Sequence, residues 1–187
     1  EAEAKWAGEI RAFYGDDAEE ELDCVPKHGS GAFLTRELVE RRMVKGWPVL
    51  RDERKPSFTF APEHVRVGEI NDWIAEHMEP ELQLLRSQAE RWGVEASTVG
   101  GDFARISDLT CFAPMLRLRG LGRRVPFLVE LRGMPFAQQR QVLWHLIRAL
   151  PRFAGAALDA RGLGMQMAEE TAQQFGGPEV ILCIQAT

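Results

Sequence analysis

Two aspartates stand where neither a hydrophobic core nor an ordinary turn accounts for them. Asp102 follows Gly100-Gly101 and precedes Phe103-Ala104-Arg105-Ile106-Ser107-Asp108-Leu109-Thr110, so a short strand ends in a carboxylate and a small turn leads to a second strand. Further on, the small apolar run Gly155-Ala156-Ala157-Leu158 ends in Asp159, which Ala160-Arg161-Gly162 and a helix follow. Carboxylates displayed from strand ends are hard oxygen donors of the kind that Mg²⁺ or Mn²⁺ prefers. Two such ions about 3.5–4 Å apart would align an attacking water and offset charge on a leaving oxygen in phosphodiester hydrolysis. On this reading Asp102 bridges the metals and Asp159 holds one of them. Asp108, at the start of the second strand, is the next candidate, either as a ligand or by orienting Arg105. A cap or turn carboxylate is the alternative reading for each.

Arginine supplies the rest of the chemistry. Arg117, Arg119, Arg123 and Arg124 crowd one hairpin, and Arg105 and Arg161 lie close in sequence to the proposed ligands. Contacts from such groups to phosphates hold a DNA duplex without reading its sequence. Four arginines on a hairpin also suit an ordinary solvated surface. Glu130 alternates out of phase with Phe127, Val129 and Leu131 and reads as part of a solvated strand face. Glu169 and Glu170 read as the exposed side of their helix.

The formal charge of −5 hides an asymmetry: residues 1–98 carry 13 basic and 21 acidic side chains, residues 99–187 carry 10 and 7, and those ten are all arginine. Cys24, Cys111 and Cys183 are too few and too scattered for a disulfide framework, which points to a reducing cytoplasm. Cys24 and His28 have the spacing of half a zinc site, but no second pair accompanies them. No window is apolar enough to span a membrane. The chain opens on Glu1 rather than Met, and it reads as a fragment of a longer frame.

The elements that must position the aspartates follow from periodicity. Residues 1–23 predict helix with Trp6, Ile10 and Phe13 on one side, and Thr35 to Met43 predict another, capped by Thr35. A Pro-punctuated stretch carries strand-like pieces at Trp47 to Leu50 and Ser57 to Phe60. Val67 to Trp92 is helical with a break near Pro80. Gly93 to Thr98 reads as a polar loop and the domain boundary. Beyond it come a strand ending at Asp102, strands at about 109–118 and 125–131, and a helix from Pro135 to Leu150 closed by Pro151. A strand holding Asp159, a helix at 163–175 and a strand from Val180 to Ile184 follow. The order is β-β-β-α-β-α-β.

That order, with one aspartate on the first strand and one on the fourth, resembles the ribonuclease H-like fold. It implies a mixed five-stranded α/β sheet flanked by helices over residues 99–187, with residues 1–98 a helical and irregular appendage. The runs Gly101-Asp102-Phe103-Ala104-Arg105 with Asp108-Leu109-Thr110, Glu130-Leu131-Arg132-Gly133-Met134-Pro135-Phe136 with Gln138-Gln139-Arg140, and Leu158-Asp159-Ala160-Arg161-Gly162 narrow it. They resemble the nuclease region of Mu-like phage terminase large subunits. Glu20 to Pro26 and Gly29 to Phe33 resemble the segment joining motor and nuclease in that family. The resemblance implies a two-metal endonuclease that cuts concatemeric double-stranded DNA during packaging in the cytoplasm of a bacterial host. Its implied partners are a motor domain, a small terminase subunit and a portal. There is no Gly-x-x-x-x-Gly-Lys-[Ser/Thr] loop, so the ATPase motor is absent from this chain. The family's third carboxylate is expected in a helix beyond Thr187, which implies an impaired site in this fragment.

Two other classes compete. A sugar-kinase or ATPase domain of the same broad fold needs a Gly-rich phosphate loop after the first strand, and Arg105-Ile106-Ser107 is not one. A docking module for a motor or portal that has lost catalysis needs no metal, and Mn²⁺ binding through Asp102 and Asp159 separates it from a nuclease.

Overall fold

The computed structural model describes residues 2–15, 18–23, 36–41, 43, 45–104, 108–159, 162 and 164–184. The chain divides into two compact units, Glu1–Lys45 and Gly46–Thr187. The first contains the helices α1 (Ala2–Tyr14), α2 (Ala18–Asp23) and α3 (Arg36–Glu40), and an Arg11–Asp23 ion pair ties α1 to α2. The expected cap at Thr35, the loop at residues 27–31 and the pair Cys24 and His28 lie outside the described residues.

The second unit is built on one sheet. Its strands are β1 (Val49–Glu53), β2 (Val94–Asp102), β3 (Leu109–Leu118), β4 (Arg123–Arg124), β5 (Leu128–Arg132), β6 (Phe153–Asp159) and β7 (Ile181–Ile184). The sheet runs β1-β5-β3-β2-β6-β7, with the two-residue β4 added to β3. β3 is antiparallel to β2 and β5, whereas β6 is parallel to both β2 and β7. The five strands expected from the sequence are therefore present in the expected orientations. β1, parallel to β5, and β4 raise the total to seven.

β1 changes the domain division. The units part at Lys45/Gly46 rather than at residues 98/99, because residues 46–93 supply an edge strand and much of the core. The helical run α4 (Glu63–Trp73), a π turn at Ile74–Met78 and α5 (Glu79–Gln88) buries Ile70, Trp73, Met78, Leu82 and Leu85. They join the same cluster as the sheet residues Val99, Phe112, Val129 and Leu158. The break expected near Pro80 is this widened turn, whose last N–H, from Glu79, reaches back five residues to the Ile74 carbonyl. Proline in the next turn has no N–H to give, and a π bulge is one way a helix absorbs the lost bond.

Two local expectations are corrected. Ser57 to Phe60 is no strand: Pro56–Phe60 is a 3-10 turn that buries Phe58 and leaves Phe60 87% exposed, two residues that an extended strand would place on one face. Residues 94–98 are no boundary loop but the first half of β2, in which Val94, Ala96 and Val99 are buried. The fully buried Ser97 hydroxyl donates to the Pro151 carbonyl at 2.6 Å.

The helix α6 (Phe136–Ala149) starts after Pro135 and ends before Pro151, as its sequence requires. It buries Val142, Leu143, Leu146 and Ile147 against the sheet. The helix α7 (Gly164–Phe175) adds Ala168 and Ala172 to the core and is tied to α6 by Trp144, whose indole N–H donates to the Thr171 hydroxyl at 3.0 Å. Glu170, read as surface, is half-buried and pairs with Arg140 of α6; Glu169 is exposed. Within β1 the buried Asp52 accepts from Arg54 at 2.8 Å, and Arg54 also reaches Glu69 of α4 at 2.6 Å.

Glu79 makes the corresponding tie between α5 and α6. It accepts from Arg86 and lies 3.2 Å from Nε2 of His145. Burial pushes its carboxyl upward, but the Arg86 and His145 bonds outweigh this and hold it below the usual value of 4.5. A carboxyl lowered in the folded state stabilises above its unfolded pKa, and that contribution is lost as pH falls through the folded value. Glu79→Gln is therefore expected to lower stability by about 0.5–1 kcal/mol at neutral pH. The difference from the parent should close as thermal unfolding is followed down through and below pH 4.5.

Candidate functional site

β2 and β6 are adjacent parallel strands, and each ends in one of the two aspartates. Their ladder closes with Gly101 opposite Leu158, so Asp102 and Asp159 are the first residues past it. Neighbouring strands lie about 4.8 Å apart, so the two residues stand side by side at the strand ends. From β2 the chain turns to β3 on one side, whereas from β6 it passes through α7 to β7 on the other. The crevice at the carboxyl ends of strands where such connections diverge is the usual ligand position in open α/β sheets.

Packing fixes this alignment. A Cβ on Gly101 would stand 2.7 Å from Leu158 Cδ2 and 3.3 Å from Phe112 Cδ1, so the strands approach closely only because residue 101 has no side chain. At the start of α7 a Cβ on Gly164 would stand 2.4 Å from the Asp159 carbonyl oxygen and 3.3 Å from the Phe103 ring. The helix thus seats directly on the backbone that carries Asp159.

The two faces of the sheet differ. Phe112, Val129 and Leu158 belong to the core on one side. Asp102 pairs in register with Cys111, Cys111 with Glu130 and Glu130 with Arg51, so these four form a row across the opposite face. Glu130 is accordingly not a freely solvated residue. Its side chain is 21% exposed and accepts from Arg51 Nε at 2.7 Å. Burial, and then the charges of Glu130 and Asp102, raise the Cys111 thiol above its ordinary value. It is a neutral thiol between two acids rather than a nucleophile. The phase of Glu130, out of step with core-facing Val129 and Leu131, put it on the sheet's other face; that Asp102 lies in the same row follows from the strand pairing.

Asp108 is exposed and immediately precedes β3, at the same end of the sheet as Asp102. Arg105 and Arg161 lie outside the described residues. The arginine hairpin is elsewhere. Arg123 and Arg124 pair with Arg117 and Leu116, and Arg117 lies opposite Ala96 near the beginning of β2. Six residues of strand separate Ala96 from Asp102, about 20 Å. Arg124 stacks over Trp92 at 4.2 Å, and Arg123 donates to the carbonyls of Leu121 and Gly122 at 3.1 Å.

The donor set fits a hard divalent cation in kind, since both residues offer carboxylate oxygens from rigid strand ends. Among the described residues no group of three or more His, Cys, Asp or Glu side chains is close enough to hold a metal ion.

A mixed sheet whose core order is β5-β3-β2-β6-β7, with β3 reversed and an aspartate at the end of each central parallel strand, is a ribonuclease H-like α/β layout. The chain is similar over its whole length to the "Probable terminase, large subunit gp28" of Escherichia phage Mu, at 39% identity over 191 residues that make up 33% of that protein. It is also similar to the "Mu-like prophage FluMu protein gp28" of Haemophilus influenzae, at 34% identity over 182 residues, 96% of this chain and 35% of the relative. The chain thus spans about a third of the length of these curated relatives. No family profile matches it. No solved structure matches it either.

The contact between Gly164 and Asp159 predicts a position-specific effect. Gly164→Ala should cost about 1–3 kcal/mol in denaturant unfolding, because the added methyl meets backbone that cannot rotate away. Gly162→Asn should be nearly neutral, since Gly162 has φ +54° with nothing within 4 Å and asparagine tolerates that conformation. Equal losses at the two positions would contradict this account of how α7 seats.

Proposed function

We propose that residues 46–187 form the metal-dependent nuclease core of a phage terminase large subunit, acting on concatemeric double-stranded DNA during packaging. The observation that carries this reading is the placement of Asp102 and Asp159 at the ends of adjacent parallel strands, together with the similarity to a relative named as a terminase large subunit. Asp102 and Asp159 would hold Mg²⁺ or Mn²⁺, which when bound supplies activation of water and charge neutralisation at the phosphate. The protein's own part is to keep both carboxylates fixed at the strand ends. Asp108 stands at the same rim, where its carboxylate would be a further candidate ligand. A third carboxylate, from outside the described residues, would complete the set.

The arginine hairpin takes a different role in this reading. At about 20 Å from the aspartates it would touch phosphates about six base pairs from the point of cleavage, at 3.4 Å per step. It positions a duplex and takes no part in chemistry. The motor domain, the small terminase subunit and the portal are the partners this function implies. No helix among the described residues is long and apolar enough to cross a membrane.

Two experiments test the reading. Mn²⁺ titration of the 187-residue chain should show binding that Asp102→Asn weakens at least about tenfold, the scale expected for losing a direct ligand or its close support. Mn²⁺-dependent plasmid nicking, where present, should vanish in the same variant. A chain that binds no Mn²⁺ would instead favour a docking module for the packaging motor. Separately, charge reversal at Arg123 and Arg124 should weaken duplex binding equally across sequences and reduce the salt slope by about one for each phosphate left without its arginine. An unchanged affinity would remove the hairpin from the interface.

A further inference from the structure

Just past Asp102 the chain leaves the sheet, and nothing in β-pairing holds it there. A buried polar cluster takes over. Gln139 of α6 is 1% exposed and Thr110 of β3 is fully buried, and together they bind both backbone groups of Ala104. The Ala104 N–H donates to the Thr110 hydroxyl at 2.8 Å. The Ala104 carbonyl accepts from Gln139 Nε2 at 2.7 Å and lies 3.0 Å from the Thr110 hydroxyl. Gln139 Nε2 gives its second proton to the Met134 carbonyl at 2.7 Å, and Gln139 Oε1 is 3.0 Å from Thr110 Oγ1. Thr110 has a single proton, so it serves Gln139 or the Ala104 carbonyl at any moment. Both amide donors of Gln139 are used in either case.

A buried amide is a costly way to fill space. Its stabilisation is modest when fully bonded, and an unmet partner costs more than the bond contributes, so an apolar residue of the same shape serves packing at least as well. What the amide does that leucine cannot is fix a backbone. The fixed backbone is two residues beyond Asp102, with Phe103 between them packed edge-on against Phe112 at 5.8 Å between centroids. The neighbouring Gln138 offers a contrast: it is equally buried, yet its Oε1 has no partner among the described residues.

We propose that Gln139, with Thr110, is a positioning residue that clamps the end of β2 so that the Asp102 carboxylate stays beside Asp159 for metal binding. This rests on the metal-dependent reading above. Gln139 touches neither metal nor DNA in this role, and it acts only through the Phe103-Ala104 backbone.

The test uses Mn²⁺ alone as the probe, with amide hydrogen exchange as a readout independent of activity. Gln139→Leu should raise the Mn²⁺ midpoint about 10–100-fold, the range for losing a residue that orients a ligand. The Ala104 amide should exchange faster in the same variant. Thr110→Val, which keeps shape and removes the hydroxyl, should also speed Ala104 exchange, and it serves if Gln139→Leu fails to fold. Gln138→Leu removes a buried amide from the same helical turn without touching Ala104 and should leave the Mn²⁺ midpoint where it was. An unmoved midpoint in Gln139→Leu, or in Thr110→Val if only that variant folds, would overturn the positioning role while leaving the nuclease reading intact. So would an equal shift in Gln138→Leu. Failure of the unaltered protein to bind Mn²⁺, or undiminished binding in Asp102→Asn, would overturn both.

Discussion

The close approach of β2 to β6 is the constraint on which the rest of the second unit depends. Gly101 leaves the space that Leu158 and Phe112 fill, and parallel pairing across that contact brings Asp102 and Asp159 to the same level. Both helices that flank β6 in the chain bear on that pairing. α6 crosses from β5 to β6, covers the core face with its apolar stripe and presents Gln139 to the chain beyond Asp102. α7 then starts at a glycine because any side chain there would strike the Asp159 carbonyl.

A sheet buried on one face and half-open on the other separates stability from chemistry. Phe112, Leu116, Val129, Leu131 and Leu158 are each at most 1% exposed on the core side. The opposite side carries Arg51, Glu130, Cys111 and Asp102 in one row, where charges can be paired or solvated rather than buried. Unpaired charge in the core would cost several kcal/mol, so Asp102 and Asp159 are accommodated at the strand ends on the open side. Further along that face, Leu182 and Ile184 of β7 are 57% and 47% exposed.

Residues 46–93 are structural partners of the sheet. Their alternation of proline, charge and aromatic residues hides a parallel edge strand, because β1 is only five residues long and needs β5 to exist. Asp52 at 8% exposure is tolerated there because Arg54 meets it at short range and carries its charge on to Glu69. An isolated buried carboxylate would instead have been a large penalty.

Local periodicity was enough to determine the bounds of β3, α6 and α7 to within about a residue and to mark Asp102 and Asp159 as strand-terminal. Helical and strand repeats are written into neighbouring residues, and Pro135, Pro151 and Gly176 punctuate them. The run from Gly93 to Thr98 misled because Ser97 and Thr98 look like loop residues until the Pro151 carbonyl is seen to satisfy the Ser97 hydroxyl. Only the tertiary structure decided that β1 joins the sheet, that Glu130 shares a row with Asp102, and that the arginine hairpin stands at the far end from the aspartates. The physical reason is common to all three. A strand's own pattern says which residues alternate, but which strand lies beside it, and in which direction, is settled by contacts between residues far apart in the chain.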